Sequence, residues 1–246
     1  MSSLFIREDL AVIPHGIRDV VSLHGDEQKH AVTVNRIRVG EETSIGDGRG
    51  LVVSGPVIAV SSTVLSIAVT SLVQQPAPVR QIWLVQALAK GDRDELAVQA
   101  ATELGVARVL PWAAERSVSR WVGPKIAKGL ERWRTIVREA TKQSIRAWVP
   151  EVGELQATKD LLELARGSRM LVLDPTAAIS LTAAEPGAAD EPVVLVVGPE
   201  GGLTTNELTV LAAAGATRVS LGTGILRTST AGPAAIAALN VTLGLW

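Results

Sequence analysis

The chain has no cysteine and no tyrosine, a single phenylalanine and three histidines. Without cysteine there is no disulfide and no thiolate-ligated zinc, and a reducing, cytoplasmic setting is expected. His15, His24 and His30 form no i, i+4 pair, so no metal site is expected. One Phe and no Tyr leave no aromatic platform of the kind on which RRM proteins stack RNA bases. Apolar residues make up 47% of the 246, yet no run approaches the ~20 residues that span a bilayer. The first residues lack the basic-then-apolar pattern of a secretory signal. Neither sign of charge dominates: 24 Lys and Arg against 25 Asp and Glu leave −1. Nucleic-acid contact would therefore rest on local patches.

What is present is concentrated in the last fifty-odd residues, which begin PVVLVVGPEGGLTTNEL. Val193–Val197 is a short apolar run with β-branched residues, closed by Gly198 and Pro199, as in a parallel strand buried on both faces. Gly201 and Gly202 permit a tight turn with exposed N–H groups. Thr204 with Glu207 three residues on is a capping-box pair, so a helix is expected from there to about Ala214, ending at Gly215. The pattern then repeats: a strand over residues 218–221, a Gly- and Thr-rich loop over 222–230, and an Ala-rich helix over 231–245. Two such loops at carboxyl ends of strands suit a ligand site in an open α/β sheet. GPEGGL is neither a dinucleotide fingerprint nor a P-loop. Glu200 would repel a phosphate, so the loops suit a neutral or cationic, adenosine-like ligand better than a polyphosphate.

GPEGGL followed by LGTGILRTSTA closely resembles the signature of SPOUT-class RNA methyltransferases, specifically the 16S rRNA uridine-N3 methyltransferase family. The resemblance implies an α/β C-terminal domain with a knotted parallel sheet, helices on both faces and S-adenosylmethionine held by three loops. True knots are rare, and nothing in the periodicity points to one. One departure stands out: the usual Glu of RTETA is Ser229 here, which serves equally well if its task is to cap the last helix.

Residues 1–73 read as short strands divided by Gly and Asp turns, at residues 4–6, 20–23, 42–45, 51–53 and 62–69, with GDGRG as a hairpin signal and residues 26–34 as one helix. A small barrel is expected, and the resemblance implies a PUA-like domain that takes part in RNA recognition. QQPAP at 74–78 reads as a linker, and residues 79–246 as the methyltransferase domain. There a strand over 79–88 leads to a helix started by Asp92 and Glu95, with Leu96, Ala97, Ala100, Ala101 and Leu104 on its buried face and Gly105 at its end. A strand over 106–110 follows, stopped by Pro111. Further on, a helix at Thr158–Arg166 and a strand at Arg169–Leu173 are expected, then a patternless crossover.

Residues 116–146 carry nine Lys or Arg against two Glu, in a chain that is otherwise balanced. Leu130, Trp133, Val137 and Ala140 or Thr141 supply the apolar stripe of a helix, which leaves the basic residues to its other faces as a phosphate footprint. Arg116, Arg120, Arg138, Lys142 and Arg146 are expected on RNA, together with Arg7, His30, Arg36 and Arg38 of the N-terminal domain.

The resemblance implies methyl transfer to uracil N3, with Arg227 and Arg146 as candidate catalytic residues. It implies cofactor binding by Leu173, Gly198, Pro199, Glu200, Gly201, Leu221, Gly222, Ile225, Leu226, Arg227, Thr228 and Ala231. It implies 16S rRNA as partner, within an assembled small subunit, and a homodimer. A non-catalytic RNA-binding or assembly factor on the same fold, a SPOUT enzyme acting on another nucleotide, and an ordinary doubly wound nucleotide-binding enzyme are the alternatives. No membrane or metal is expected.

Overall fold

The structure, a computed structural model, describes residues 3–246. The first two residues of the expected N-terminal domain lie outside that span. Contacts divide the chain into two compact units. One takes residues up to 77 together with 141–149; the other takes 78–140 and 150–246.

The first unit contains β1 (Ser3–Ile6), β2 (Val20–Leu23), α1 (Gly25–Lys29), β3 (Glu42–Gly46), β4 (Leu51–Val60), β5 (Leu65–Ala68) and β6 (Ser71–Gln74). The ladders run β1-β3-β4-β5-β2, with β6 on β4. The ten-residue β4 organises this unit. Its first half pairs with β3 and β6, and its register shifts between Val57 and Ala59, where it pairs with β5. Such a bulge bends a strand and lets it serve two directions of pairing. Gly55 sits near that bend, where a Cβ would lie 1.9 Å from the Ala68 carbonyl oxygen. Phe5, Leu23, Ile45, Val53, Leu65 and Ile67 fill the interior. The helix expected over 26–34 is two pieces: α1, then a wider π turn at His30–Val34. β6 takes in Gln74, which the sequence suggests is linker.

The second unit contains β7 (Ile82–Ala87), α2 (Arg93–Glu103), β8 (Arg108–Trp112), most of α3 (Pro124–Gln143), β9 (Glu151–Val152), α4 (Thr158–Arg166), β10 (Arg169–Leu173), β11 (Val193–Val197), α5 (Thr205–Ala213), β12 (Thr217–Val219) and α6 (Thr228–Thr242). The sheet order is β12-β10-β11-β7-β8-β9, with parallel pairing throughout. β11 is central and all five of its residues are buried, as its unbroken apolar run requires. Successive side chains of β7 take opposite faces. Val85 and Ala87 meet Leu161, Ala165 and Leu211 of α4 and α5, while α2 and α6 pack together across the other face.

Three expectations need correction. Asp92 does not cap α2: it lies in the left-handed region with φ 57° and makes no side-chain cap bond. Asp94 instead accepts from the Ala89 N–H at 3.2 Å and the Glu95 N–H at 3.0 Å. Leu96 is 56% exposed rather than buried, because the buried stripe of α2 follows Ala97, Val98 and Ala101. Pro111 does not stop β8 but lies within it, opposite Gln86. Parallel ladders leave some N–H groups of a strand unused, and Pro at such a position removes nothing. The stripe of α3 is as expected, with Leu130, Trp133, Val137, Ala140 and Thr141 buried. Among the described residues no helix is long and apolar enough to cross a membrane, and no cluster of side chains could hold a metal.

Candidate active site

A cavity of about 520 Å³ opens at the carboxyl ends of β10, β11 and β12, within the ~300–1,000 Å³ of small-ligand sites. Three segments wall it: residues 173–175 after β10, residues 197–200 with Gly202 and Leu203 after β11, and Leu221 with residues 224–228 between β12 and α6. Arg93, Leu208 and Ala231 complete it from α2, α5 and α6.

The turn after β11 is fixed by several contacts. A Cβ on Gly198 would lie 2.9 Å from Leu203 Cδ2, so this position admits only glycine without a shift. The Gly202 N–H donates to the Pro199 carbonyl at 2.9 Å, and Gly202 adopts φ +69°. The expected capping box forms: the Glu207 N–H donates to Thr204 Oγ1 at 3.1 Å and the Thr204 N–H to Glu207 Oε2 at 2.8 Å. Glu207 is also buried and accepts from the Glu115 N–H at 2.8 Å, which ties the end of β8 to α5. The last helix begins at Thr228, three residues earlier than the sequence suggests, with Arg227 at its N-cap. Thr228 is buried; its hydroxyl donates to the Gly198 carbonyl at 2.9 Å and accepts from Gln86 Nε2 at 2.9 Å.

Two carboxylates line the cavity, each with an arginine. Burial opposes ionisation of Glu200, but its own N–H, the Lys90 N–H at 3.0 Å and Arg93 Nη1 at 3.0 Å outweigh it and hold the carboxyl below its ordinary range. Burial likewise opposes ionisation of Asp174. The Thr176 N–H and hydroxyl and Arg218 Nε, at 2.7 Å, hold it low. The cavity therefore carries charge of both signs, paired locally, beside an apolar wall of Leu173, Val197, Leu203, Leu221 and Leu226. That lining fits a zwitterionic ligand with an uncharged aromatic base.

Of the residues expected to bind cofactor, all line this cavity except Gly201 and Gly222. Gly201 lies in the turn beneath Arg116, and Gly222 takes φ +77° at the start of the β12–α6 loop. Arg227 lines the cavity and is exposed. Arg146 does not line it; it lies in the 141–149 segment that clusters with the first unit, where burial lowers its pKa. The sequence marks neither Arg93 nor Gln86, and marks Asp174 only as part of the loop after β10 that the resemblance assigns to the cofactor. The partners of Asp174, Arg93 and Gln86 stand 44, 107 and 142 residues away, a distance at which no local pattern could reveal them.

The basic run is narrower in three dimensions than in sequence. Arg132 makes two bonds to Glu95 Oε2, at 3.0 and 2.8 Å. Arg134 lies near Glu131 and Glu154. Arg116 donates to the Gly201 and Leu203 carbonyls. Lys142 is 8% exposed and pairs with Glu27 at 3.2 Å. Arg138 is half-buried. Arg120, Lys125 and Lys128 remain exposed. In the first unit, Arg7 pairs with Asp9 at 2.7 Å and donates to the Ser22 carbonyl. His30 meets Phe5 edge-on, and Arg36 and Arg38 are exposed.

Residues 75–240 match a family described as an RNA methyltransferase domain, so the site belongs to an RNA methyltransferase of SPOUT-like fold. Over 236 residues the chain is 42% identical to ribosomal RNA small subunit methyltransferase E of Mycobacterium bovis, covering 92% of this chain and 88% of that one. It is 30% identical over 230 residues to the Bacillus subtilis protein of the same name, covering 89% of each. The crystal structure of ribosomal RNA small subunit methyltransferase E from Neisseria gonorrhoeae bound to S-adenosyl methionine superposes with a TM-score of 0.85 at 28% identity, covering 100% of this chain and 98% of that one. The chain belongs to the ribosomal RNA small subunit methyltransferase E family.

Proposed function

We propose that this protein transfers the methyl group of S-adenosylmethionine to N3 of a uridine in 16S rRNA, acting in the cytoplasm on an assembled small ribosomal subunit. Family membership makes it an S-adenosylmethionine-dependent rRNA methyltransferase. The cavity walled by three strand-end loops carries the reading of the cofactor site: its size suits a nucleoside with an amino-acid tail, and its paired charges suit a zwitterion.

When bound, S-adenosylmethionine would supply the methyl group: the N3–CH3 bond would form as the S–CH3 bond breaks, the sulfur would leave as the neutral thioether of S-adenosylhomocysteine, and the N3 proton would pass to solvent. The chain's own part is placement and charge. Backbone groups of residues 198–200 and 221–226 hold the nucleoside and amino-acid portions, and Leu173 and Ala231 give apolar contact. The uracil N3–H is a weak acid, and its anion spreads onto two carbonyl oxygens. A guanidinium beside them lowers the barrier. Arg227, at the cavity and at the N-cap of α6, is assigned that part, with Arg146 as its RNA-side counterpart. Alignment of donor and acceptor supplies much of the remaining acceleration.

Arg120, with Lys125 and Lys128 beside it, forms the phosphate footprint, and Arg36 and Arg38 of the PUA-like unit extend recognition. A homodimer is supported by exposed apolar residues: Leu96 on α2 and Val241 on α6, two helices that pack together, with Leu245 and Trp246 just beyond α6.

The test is methylation of small subunits that lack the modification, with labelled S-adenosylmethionine, followed by nucleoside mass spectrometry. N3-methyluridine at one position is expected. Label in a different nucleoside would overturn the uridine-N3 assignment, and absence of label with intact cofactor binding would overturn the substrate.

A further inference from the structure

Gln86 is fully buried at the penultimate position of β7, paired in register with Val197 of β11. Buried side-chain amides are uncommon in parallel strands, whose interiors are apolar. Its Nε2 donates to the Ala87 carbonyl at 3.1 Å and to Thr228 Oγ1 at 2.9 Å. That hydroxyl has one proton, which goes to the Gly198 carbonyl at 2.9 Å. The chain of bonds Gln86–Thr228–Gly198 thus crosses three elements. It joins the end of the β12–α6 loop to the start of the β11 turn, and both line the cavity.

The polarity of the chain is set at both ends, since the Gly198 carbonyl can only accept and the Gln86 amide N–H can only donate. The Thr228 hydroxyl must therefore accept from the amide and turn its own proton to Gly198. Gln86 Oε1 has no hydrogen-bond partner among the described residues. It faces Gly232 of α6, where a Cβ would lie 3.7 Å from Oε1 and 3.4 Å from Leu84. An unpaired buried carbonyl destabilises the folded state. A leucine here would avoid that penalty, so stability of the sheet does not account for the amide.

We propose that Gln86 is a positioning residue for the cofactor site: through Thr228 it fixes the Gly198 carbonyl and so sets the spacing of the two loops between which the cofactor lies. This rests on the reading of the cavity as the S-adenosylmethionine site. Gln86 itself does not line the cavity.

The experiment uses the full-length protein and four variants: Gln86→Leu, Gln86→Glu, Thr228→Val and the double Gln86→Leu/Thr228→Val. S-adenosylmethionine and S-adenosylhomocysteine affinities are measured by calorimetry, together with unfolding temperature and KM for RNA. Gln86→Leu is expected to weaken cofactor binding about tenfold, equivalent to about 1.4 kcal/mol, with the unfolding temperature unchanged or raised and KM for RNA unmoved. Gln86→Glu, of the same size, draws the Thr228 proton to itself and should weaken binding similarly. Because the residues act in series, the double variant should be no weaker than the worse single one. Wild-type affinity in Gln86→Leu, or multiplied losses in the double variant, would overturn the assignment while leaving the site itself in place. Loss of affinity that tracks a fall in unfolding temperature across the set would also overturn it, in favour of a purely structural role. Failure of the wild-type protein to bind either molecule would instead remove the cofactor reading, and this inference with it.

Discussion

Arg116 lies across the glycine turn with its Nη1 3.1 Å from the Gly201 carbonyl oxygen. A Cβ at Gly201 would come within 3.2 Å of the Arg116 side chain. The guanidinium also reaches the Leu203 carbonyl at 3.4 Å. A basic residue that the sequence places with the RNA footprint thus holds the turn that forms one wall of the cavity.

Arg116→Ala should therefore raise the Kd for S-adenosylmethionine about tenfold, the worth of one charge-assisted hydrogen bond of about 1.5 kcal/mol. Calorimetry without RNA is the check. An unchanged Kd would return Arg116 to a role on RNA alone.

Lys142 and Arg120 should separate stability from RNA affinity. Lys142 is buried against Glu27, and breaking a buried pair costs about 3 kcal/mol or more. Lys142→Ala should lower the unfolding midpoint in urea strongly. Arg120→Ala should leave stability alone and reduce the salt dependence of RNA binding by about one phosphate contact. The reverse pattern would show that the exposed and buried members of the basic run had been exchanged.

Asp174 and Arg218 give a pH dependence of defined sign. The folded-state pKa of Asp174 is depressed, so its contribution is fully present above the unfolded value of about 3.9 and is lost as pH falls through the folded value. Arg218 is part-exposed, so Arg218→Ala should cost only about 1–2 kcal/mol at neutral pH. That difference from wild type should close as pH drops below about 4. Urea unfolding at pH 7, 5, 4 and 3 measures it, and a difference that widens in acid would contradict the pairing.

Ile145 takes φ +54° where the chain leaves α3, with its N–H on the Lys142 carbonyl and the Arg146 N–H on the Thr141 carbonyl. This is the helix-ending motif in which glycine is usual. A β-branched residue there is strained by roughly 1–2 kcal/mol. Ile145 is 50% exposed, so little burial is at stake. Ile145→Gly should stabilise the protein by up to about 1 kcal/mol, read as a higher unfolding temperature, and a lower one would mean that the side chain's contacts outweigh the strain.

Thr204 and Glu207 test the turn after β11. Thr204→Ala removes a cap worth about 1 kcal/mol. Glu207→Ala should cost more, about 2–3 kcal/mol, because the carboxylate is itself buried and, besides closing the cap, accepts from the Glu115 N–H. Chemical denaturation of both variants ranks them, and equal losses would show that the tie to Glu115 adds nothing.

Features closed over short stretches of chain are legible in the sequence. Val193–Val197 is an unbroken apolar run because the strand is buried on both faces. Thr204 and Glu207 mark the start of α5 because the cap is closed within four residues. Leu130, Trp133 and Val137 recur at helical spacing because one face of α3 is buried. The loop residues of the cavity were legible for a similar reason: glycines and an Arg-Thr pair stand together in the chain. The tertiary structure alone decided which polar side chains face one another. Glu200 meets Arg93, Asp174 meets Arg218, and Gln86 meets Thr228 only because parallel strands distant in sequence bring their carboxyl ends to one edge of the sheet. It also decided which members of the basic run stay open. Lys142 and Arg120 look alike in sequence, and only burial and the nearness of a carboxylate distinguish them. Leu96 shows the converse, since the same helical spacing allows two neighbouring stripes, and the packing of α2 against α6 selected the one through Ala97 and Ala101.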